Sequence, residues 1–316
     1  MGSKTVFAVV AGGLLSLASP LHAAEYLLFY LGGQSNMDGY GFVSELPEGW
    51  GGPVENVVIF QGRQGEDGKE GGGLGAWVPL QPGHGIGFDS DGRDNTLSER
   101  FGPELSLGRR LAELNPGARI ALVKYSRGGT SLLEGASGYG NWEPDSELGG
   151  GINQYDHALA TLRNALAVED IDGDGEADTL RPAGIAWMQG EADAYDNPVA
   201  ARAYRQNLKR MMDLFRAALR TDDLPVVLGR IVDSGRDDDG LLMDYSPVVQ
   251  QAQADYTATD RCAALVDIGD ELNWSDDWHY GSEDYLRLGK AFAEAAAKLA
   301  TVCLVDQGTT VNPGTD

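Results

Sequence analysis

Along almost its whole length this chain alternates nearly unbroken apolar runs with amphipathic helical stretches. The runs are residues 26–31, 57–60, 120–125, 184–188, 226–232 and 263–268. A strand with one wet face would alternate polar and apolar residues, so runs like these belong to strands covered on both faces, as in a parallel sheet. Between them, residues 103–114, 155–168, 198–219, 247–257 and 282–299 carry apolar residues at helical spacing. Pro103, Pro198 and Pro247 stand where a first helical turn tolerates a residue without an N–H. The alternation predicts one α/β domain over residues 24–306, with a mostly parallel sheet of about five strands and helices on both faces. Residues 62–94 are Gly-rich and polar and read as a surface insertion, and residues 307–316 as a frayed tail.

Residues 1–23 are set apart from this pattern. One cation, Lys4, precedes an apolar stretch over 6–17 and a small-residue junction at Ala23-Ala24, the arrangement of a secretory signal peptide. The apolar stretch is shorter than the roughly 18 residues a spanning helix needs, so a membrane anchor is the poorer reading. The mature protein is therefore expected to be secreted or periplasmic. An oxidising compartment makes a disulfide between the two cysteines, Cys262 and Cys303, the favoured state. With 24 Lys and Arg against 48 Asp and Glu, the formal charge is -24. Such a surface repels phosphate backbones and anionic headgroups, which excludes nucleic acid and membrane as electrostatic partners.

In parallel sheets ligands bind beyond the carboxyl ends of the strands, and four segments there carry chemistry. Gly32-Gly33-Gln34-Ser35-Asn36-Met37 places a serine at a tight strand-to-helix turn, where it serves either as a nucleophile or as a helix cap. Ser275-Asp276-Asp277-Trp278-His279 offers a base with a carboxylate three residues away. His84 has no acid near it in sequence and His157 falls within a helix, which leaves His279 as the best base. Asp276 is preferred over Asp277 as its orienter, because the three-residue offset folds back more naturally. Lys124-Tyr125-Ser126-Arg127-Gly128-Gly129 supplies glycines that let a backbone N–H approach an oxyanion, and Trp187-Met188-Gln189-Gly190-Glu191 supplies a side-chain amide.

Taken together and in this order, the four motifs resemble those of the SGNH hydrolase superfamily, in its sialate O-acetylesterase-like and acetylxylan esterase branch. The resemblance implies a flavodoxin-like three-layer fold and removal of O-acetyl groups from carbohydrate without a catalytic cofactor. It implies Ser35 as nucleophile, His279 as base and Asp276 as orienter. It also implies an oxyanion hole of the Ser35 and Gly128 N–H groups and the Gln189 side chain, with Gly129 the alternative glycine. Gly102-Pro103-Glu104-Leu105 is similar to a segment of this branch with a positioning role.

A separate signal lies at Asp170, Asp172, Asp174 and Asp178, spaced as positions 1, 3, 5 and 9 of a calcium loop with Gly175 at position 6. Arg181 replaces the bidentate acid at position 12, so an ordinary EF-hand is not expected. The loop is read as a structural calcium site. The alternative to an esterase is a calcium-dependent carbohydrate-binding protein on the same fold without turnover. Trp142, Trp187, Trp278 and Tyr280 are candidates for stacking on sugar rings.

Overall fold

The computed structural model describes residues 1–2, 23–66, 69–146 and 153–304. The stretch read as a signal peptide, apart from its ends, and the tail after residue 304 lie outside the described residues. Seven strands form the main sheet: β1 (Glu25–Gly33), β2 (Val57–Gln61), β3 (Trp77–Pro79), β4 (Arg119–Ser126), β5 (Thr179–Met188), β6 (Val226–Gly229) and β7 (Ala263–Val266). Their order is β7-β6-β5-β1-β4-β2-β3, and every neighbouring pair is parallel except β2 with β3. The predicted parallel sheet is present, with seven strands instead of about five. The strand with no counterpart among the apolar runs, β3, is three residues long and ends in proline, too short to show a period; it lies within the Gly-rich 62–94 segment.

Helices cover both faces. They are α1 (Ser35–Asp38), α2 (Glu104–Leu114), α3 (Tyr155–Leu166), α4 (Glu191–Ala194), α5 (Pro198–Ala218), α6 (Ser246–Thr259) and α7 (Ser282–Cys303). The helices α2 and α7 pack on each other in one layer. This close approach needs Gly289, where a Cβ would stand 2.1 Å from Pro103 O. On the other layer Phe215 of α5 packs on Tyr30 and Trp187, and His157 of α3 packs on Tyr125. Strand β1 is buried over its last six residues, as the unbroken apolar run required. Among the described residues no helix is long and apolar enough to cross a membrane.

A disulfide and a fully buried ion pair each join distant segments. Cys262 and Cys303 are disulfide-bonded, with Cα atoms 5.8 Å apart, and so join the start of β7 to the end of α7. Lys124 on β4 and Glu104 at the start of α2 form an ion pair of 2.8 Å with both side chains at 0% exposure. Lys124 Nζ also donates to the main-chain oxygens of Asp38 and His84, while Glu104 accepts the N–H of Gly102. The motif around Glu104 thus ties α2, β4 and the segment after β1 together near the carboxyl end of the sheet. A buried charge left without its partner costs about 3–5 kcal/mol. Lys124→Met should therefore lower the unfolding free energy by that amount in urea denaturation, and adding Glu104→Gln should restore much of it. Equal losses in the single and double variants would show that charge burial is not what the pair offsets.

Candidate active site

Three loops leave the sheet at one level because of strand register. Gly33, the last residue of β1, pairs with Ser126 of β4 on one side and Met188 of β5 on the other. Gly33 has φ of +142°, and a Cβ there would lie 1.9 Å from Met188 O, so only glycine lets β1 close against β5 as it turns. Ser35 then opens α1. Gln34 stands at the cap without a capping side-chain bond, and Ser35 sits inside the helix, so the serine is not a cap. The turn is closed by the N–H groups of Met37 and Asp38 on Gln34 O and of Gly39 on Ser35 O. The Ser35 N–H, in the first helical position, is outside these bonds.

The His279 loop is folded by the side chain that also orients the imidazole. Asp276 Oδ1 accepts the N–H groups of Trp278 and His279, each at 2.8 Å, and Oδ2 lies 2.7 Å from His279 Nδ1. Burial works to raise the Asp276 pKa, but the hydrogen bonds from His279 and from the Trp278 N–H outweigh it and hold the carboxyl below its ordinary value. An ionised carboxylate only accepts, so the imidazole proton belongs on Nδ1 and Nε2 is left as the basic nitrogen. Asp277 instead lies 3.5 Å from Arg236. The other two described histidines are poor bases. Burial, with the nearby Lys124 charge, pushes His84 down to about 3, and His157 Nε2 is bonded to Glu66 O.

Tyr40 brings the two loops together. Its ring lies flat on the His279 ring, with centroids 3.5 Å apart and planes 4° from parallel. A Cβ built on Gly128 would meet the Ser35 Cβ at 3.3 Å and the Tyr40 hydroxyl at 3.6 Å, so Ser35, Gly128, Tyr40 and His279 surround one small space. Asp38, 1% exposed, is raised by burial, against the hydrogen bond of Ser126, the charge of Lys124 and the approach of Gln64 and the Gly128 N–H. A Cβ built on Gly129 would meet the Tyr139 ring at 2.8 Å.

Gln189, the expected side-chain donor, directly follows β5, and its Oε1 is buried without a partner among the described residues. Its Nε2 donates to Thr130 O at 3.0 Å and to Asp193 Oδ2 at 2.6 Å, so both amide hydrogens are spent within the protein. Asp193 needs them: buried completely, its pKa is pushed up to about 7 by burial, against the N–H groups of Leu132 and Leu133 and the Gln189 amide. The residue that instead links the loops is Asn36, which the sequence reading passed over although it directly follows Ser35. Its Nδ2 donates to Glu191 Oε1 at 2.8 Å and to Trp278 O at 3.2 Å, and its Oδ1 accepts the Tyr285 hydroxyl at 2.8 Å. Glu191 was visible in the same motif as Gln189, but nothing in its spacing signals a partner 155 residues away.

Two further expectations change. Asp170, Asp172 and Asp174 bring oxygens within 4.8 Å of one another. Asp178 does not join them, because its carboxylate is taken by the N–H groups of Ile171 and Ala24, and Arg119 pairs with Asp172. Of the aromatic residues proposed for sugar stacking, Trp142, Trp187 and Tyr280 are buried in the core, where the bulk of each ring packs on others, and Trp278 alone keeps partial exposure.

Comparison with known proteins agrees with the fold. A protein of Arabidopsis thaliana of known structure is similar at TM-score 0.61 and 20% identity, over 88% of this chain and 99% of that one. A carbohydrate acetylesterase from Xanthomonas citri is similar at TM-score 0.59 and 17% identity, over 87% of this chain and 57% of that one. NanS is similar at TM-score 0.56 and 16% identity, over 89% of this chain and all of that one. No curated protein matches the sequence. The model of one family, described as carbohydrate esterase, sialic acid-specific acetylesterase, matches residues 25–298, and the chain belongs to that family of carbohydrate esterases.

Proposed function

We propose that this carbohydrate esterase is a secreted serine enzyme that removes O-acetyl groups from sugars through an acetyl-enzyme. The observation that carries the reading is the Asp276–His279 pair, held by Tyr40 over the space that Ser35 and Gly128 border. Ser35 Oγ attacks the acetyl carbonyl while His279 Nε2 takes its proton. The imidazolium, steadied by Asp276, returns that proton to the departing sugar oxygen, which leaves as the hydroxyl. Water, activated by the same nitrogen, then releases acetate. The Ser35 N–H, free of the turn's own bonds, and the Gly128 N–H, which would give up its approach to Asp38, are the main-chain donors assigned to the developing oxyanion. The disulfide and the family support export, and the acidic exterior suits a neutral or weakly charged sugar better than a polyanion.

The experiment that tests the reading is release of acetate from acetylated xylan, acetylated sialic acid and acetylated pectin by the native chain and by Ser35→Ala. The alanine variant should retain the melting temperature of the native chain and lose nearly all turnover. A variant that keeps a sizeable part of the rate would remove Ser35 as nucleophile, and a native chain that binds these sugars without releasing acetate would favour the binding-protein alternative.

Because Asp276 is held below the ordinary carboxylate range, it stays ionised through mildly acidic pH and does not set the acid limb of activity. Asp276→Asn should lower kcat far more than Asp277→Asn. The reverse order would move the orienting role to Asp277.

The loop at Asp170, Asp172 and Asp174 is proposed as a structural calcium site with three carboxylates in place of the four expected. An ion bound only by the folded chain raises its stability by mass action. Excess chelator should lower the melting temperature and leave the initial rate at moderate temperature unchanged. Superimposable melting curves would leave Arg119 as the loop's only counter-charge.

A further inference from the structure

Ser35 is flanked by two amides, Gln34 and Asn36, and both reach the same buried turn after β5. That turn is held firmly. Gly190 has φ of +144°, and a Cβ there would meet Val249 Cγ1 at 3.0 Å and Ile231 Cγ2 at 3.1 Å. The preceding carbonyl, Gln189 O, accepts the Tyr204 hydroxyl at 2.6 Å. Glu191, 3% exposed, follows directly, and its Oε1 accepts Asn36 Nδ2 at 2.8 Å. Gln34 Oε1 lies 3.3 Å from the N–H groups of Gly190 and Ala192, and with the amide turned over its nitrogen donates to Glu191 Oε2, also at 3.3 Å. Either orientation binds residue 34 to the turn that carries Glu191. Among the described residues no Lys, Arg or His pairs with this carboxyl, and burial raises its pKa against the Asn36 hydrogen bond. A carboxyl buried without a cation destabilises a fold, so the two amides are what this one serves.

Resting on the serine-esterase reading above, we propose that Glu191 is the positioning residue of the nucleophile, holding the residues on both sides of Ser35 and, through Asn36, setting the serine turn against the His279 loop. It touches neither substrate nor the reacting atoms. With Glu191 Oε1 on its nitrogen and the Tyr285 hydroxyl on its oxygen, the Asn36 amide has one orientation, which leaves a hydrogen for Trp278 O at 3.2 Å. Trp278 directly precedes the base and stands 242 positions from Asn36, so no local turn bond can fix the one loop against the other. Proton transfer from Ser35 to His279 depends on that fixed approach, because a reacting pair gains its rate from being held within hydrogen-bond reach. The acid after Gly190 thereby acts on the chemistry through two neighbours of the nucleophile.

The test compares Glu191→Ala, Glu191→Asp and Glu191→Gln on 4-nitrophenyl acetate, with rates normalised to the fraction of Ser35 finally labelled by diethyl 4-nitrophenyl phosphate. Only folded sites take the label, so lost fold and lost positioning are counted separately. Misplacing a reacting group by about 1 Å costs on the order of a hundredfold in rate. Glu191→Ala should lower kcat by that order, change KM less than about threefold, and slow the labelling of Ser35 in step. Glu191→Asp, shorter by one methylene, cannot reach both amides and should lose at least about tenfold; it carries the test if the alanine variant does not fold. Glu191→Gln keeps an oxygen for Asn36 and offers Gln34 a nitrogen to which it can turn its own oxygen, so most of the lost rate should return. Full kcat per labelled site in the alanine or aspartate variant, a loss confined to KM, or an equal loss in Glu191→Gln would each overturn the assignment. Failure of the underlying reading is separable, because it shows as turnover surviving in Ser35→Ala, whereas an inactive Ser35→Ala beside a fully active Glu191→Asp removes only the role of Glu191.

Discussion

The parallel pairing of β1 between β4 and β5 is the constraint from which the site follows. With Gly33 level with Ser126 and Met188, three chain segments turn out of the sheet side by side, and each brings its motif to the same edge. A slip of one residue in either pairing would reverse the faces of the strands and move Ser35 away from Gly128. Burial of β1 on both faces opposes such a slip, since its apolar side chains have no wet face to exchange with. The order of strands also reverses direction at β1, which is where open parallel sheets leave a crevice for a ligand.

Around that crevice the protein buries several polar groups, and the way they are matched explains their composition. Lys124 and Glu104 neutralise one another while also holding the main chain near Asp38, His84 and Gly102. On the opposite side Asn36 uses its amide for Glu191 and Trp278 and its oxygen for Tyr285, joining the serine turn to the histidine loop. Gln189 and two backbone N–H groups hold Asp193. Buried polar groups left unmatched cost free energy, so these sets restrict the loops to one arrangement. Gln189 illustrates the consequence: its amide nitrogen donates to a neighbouring acid that lies four residues further along the chain.

The histidine loop shows economy of a different kind. Asp276 closes the turn through the N–H groups of Trp278 and His279 and, with its other oxygen, sets the imidazole. Local folding and orientation of the imidazole are the same interaction. Stacking of Tyr40 then fixes the ring from the side, so the imidazole is held along its edge by a carboxylate and across its face by an aromatic ring.

The sequence by itself determined the parallel α/β class, the helices between its strands, the cysteine pair and the Asp276–His279 relation. Each of these rests on periodicity, on composition or on residues within one turn, quantities that a linear pattern carries. It did not reveal β3, whose three residues are too few to show a period and whose place at the sheet edge is decided by β2. Nor could it foresee that Asp178 would turn to the backbone, that Trp142, Trp187 and Tyr280 would pack inside, or that Gln189 would be claimed by Asp193. Those outcomes are competitions among groups far apart in the chain for the same hydrogen bond or the same volume, and only the folded arrangement decides them. The partnership of Tyr40 with His279, 239 positions later, belongs to the same class: a tyrosine after a glycine looks ordinary in sequence, and the stacking that gives it a role exists only once β1 and the final loop meet.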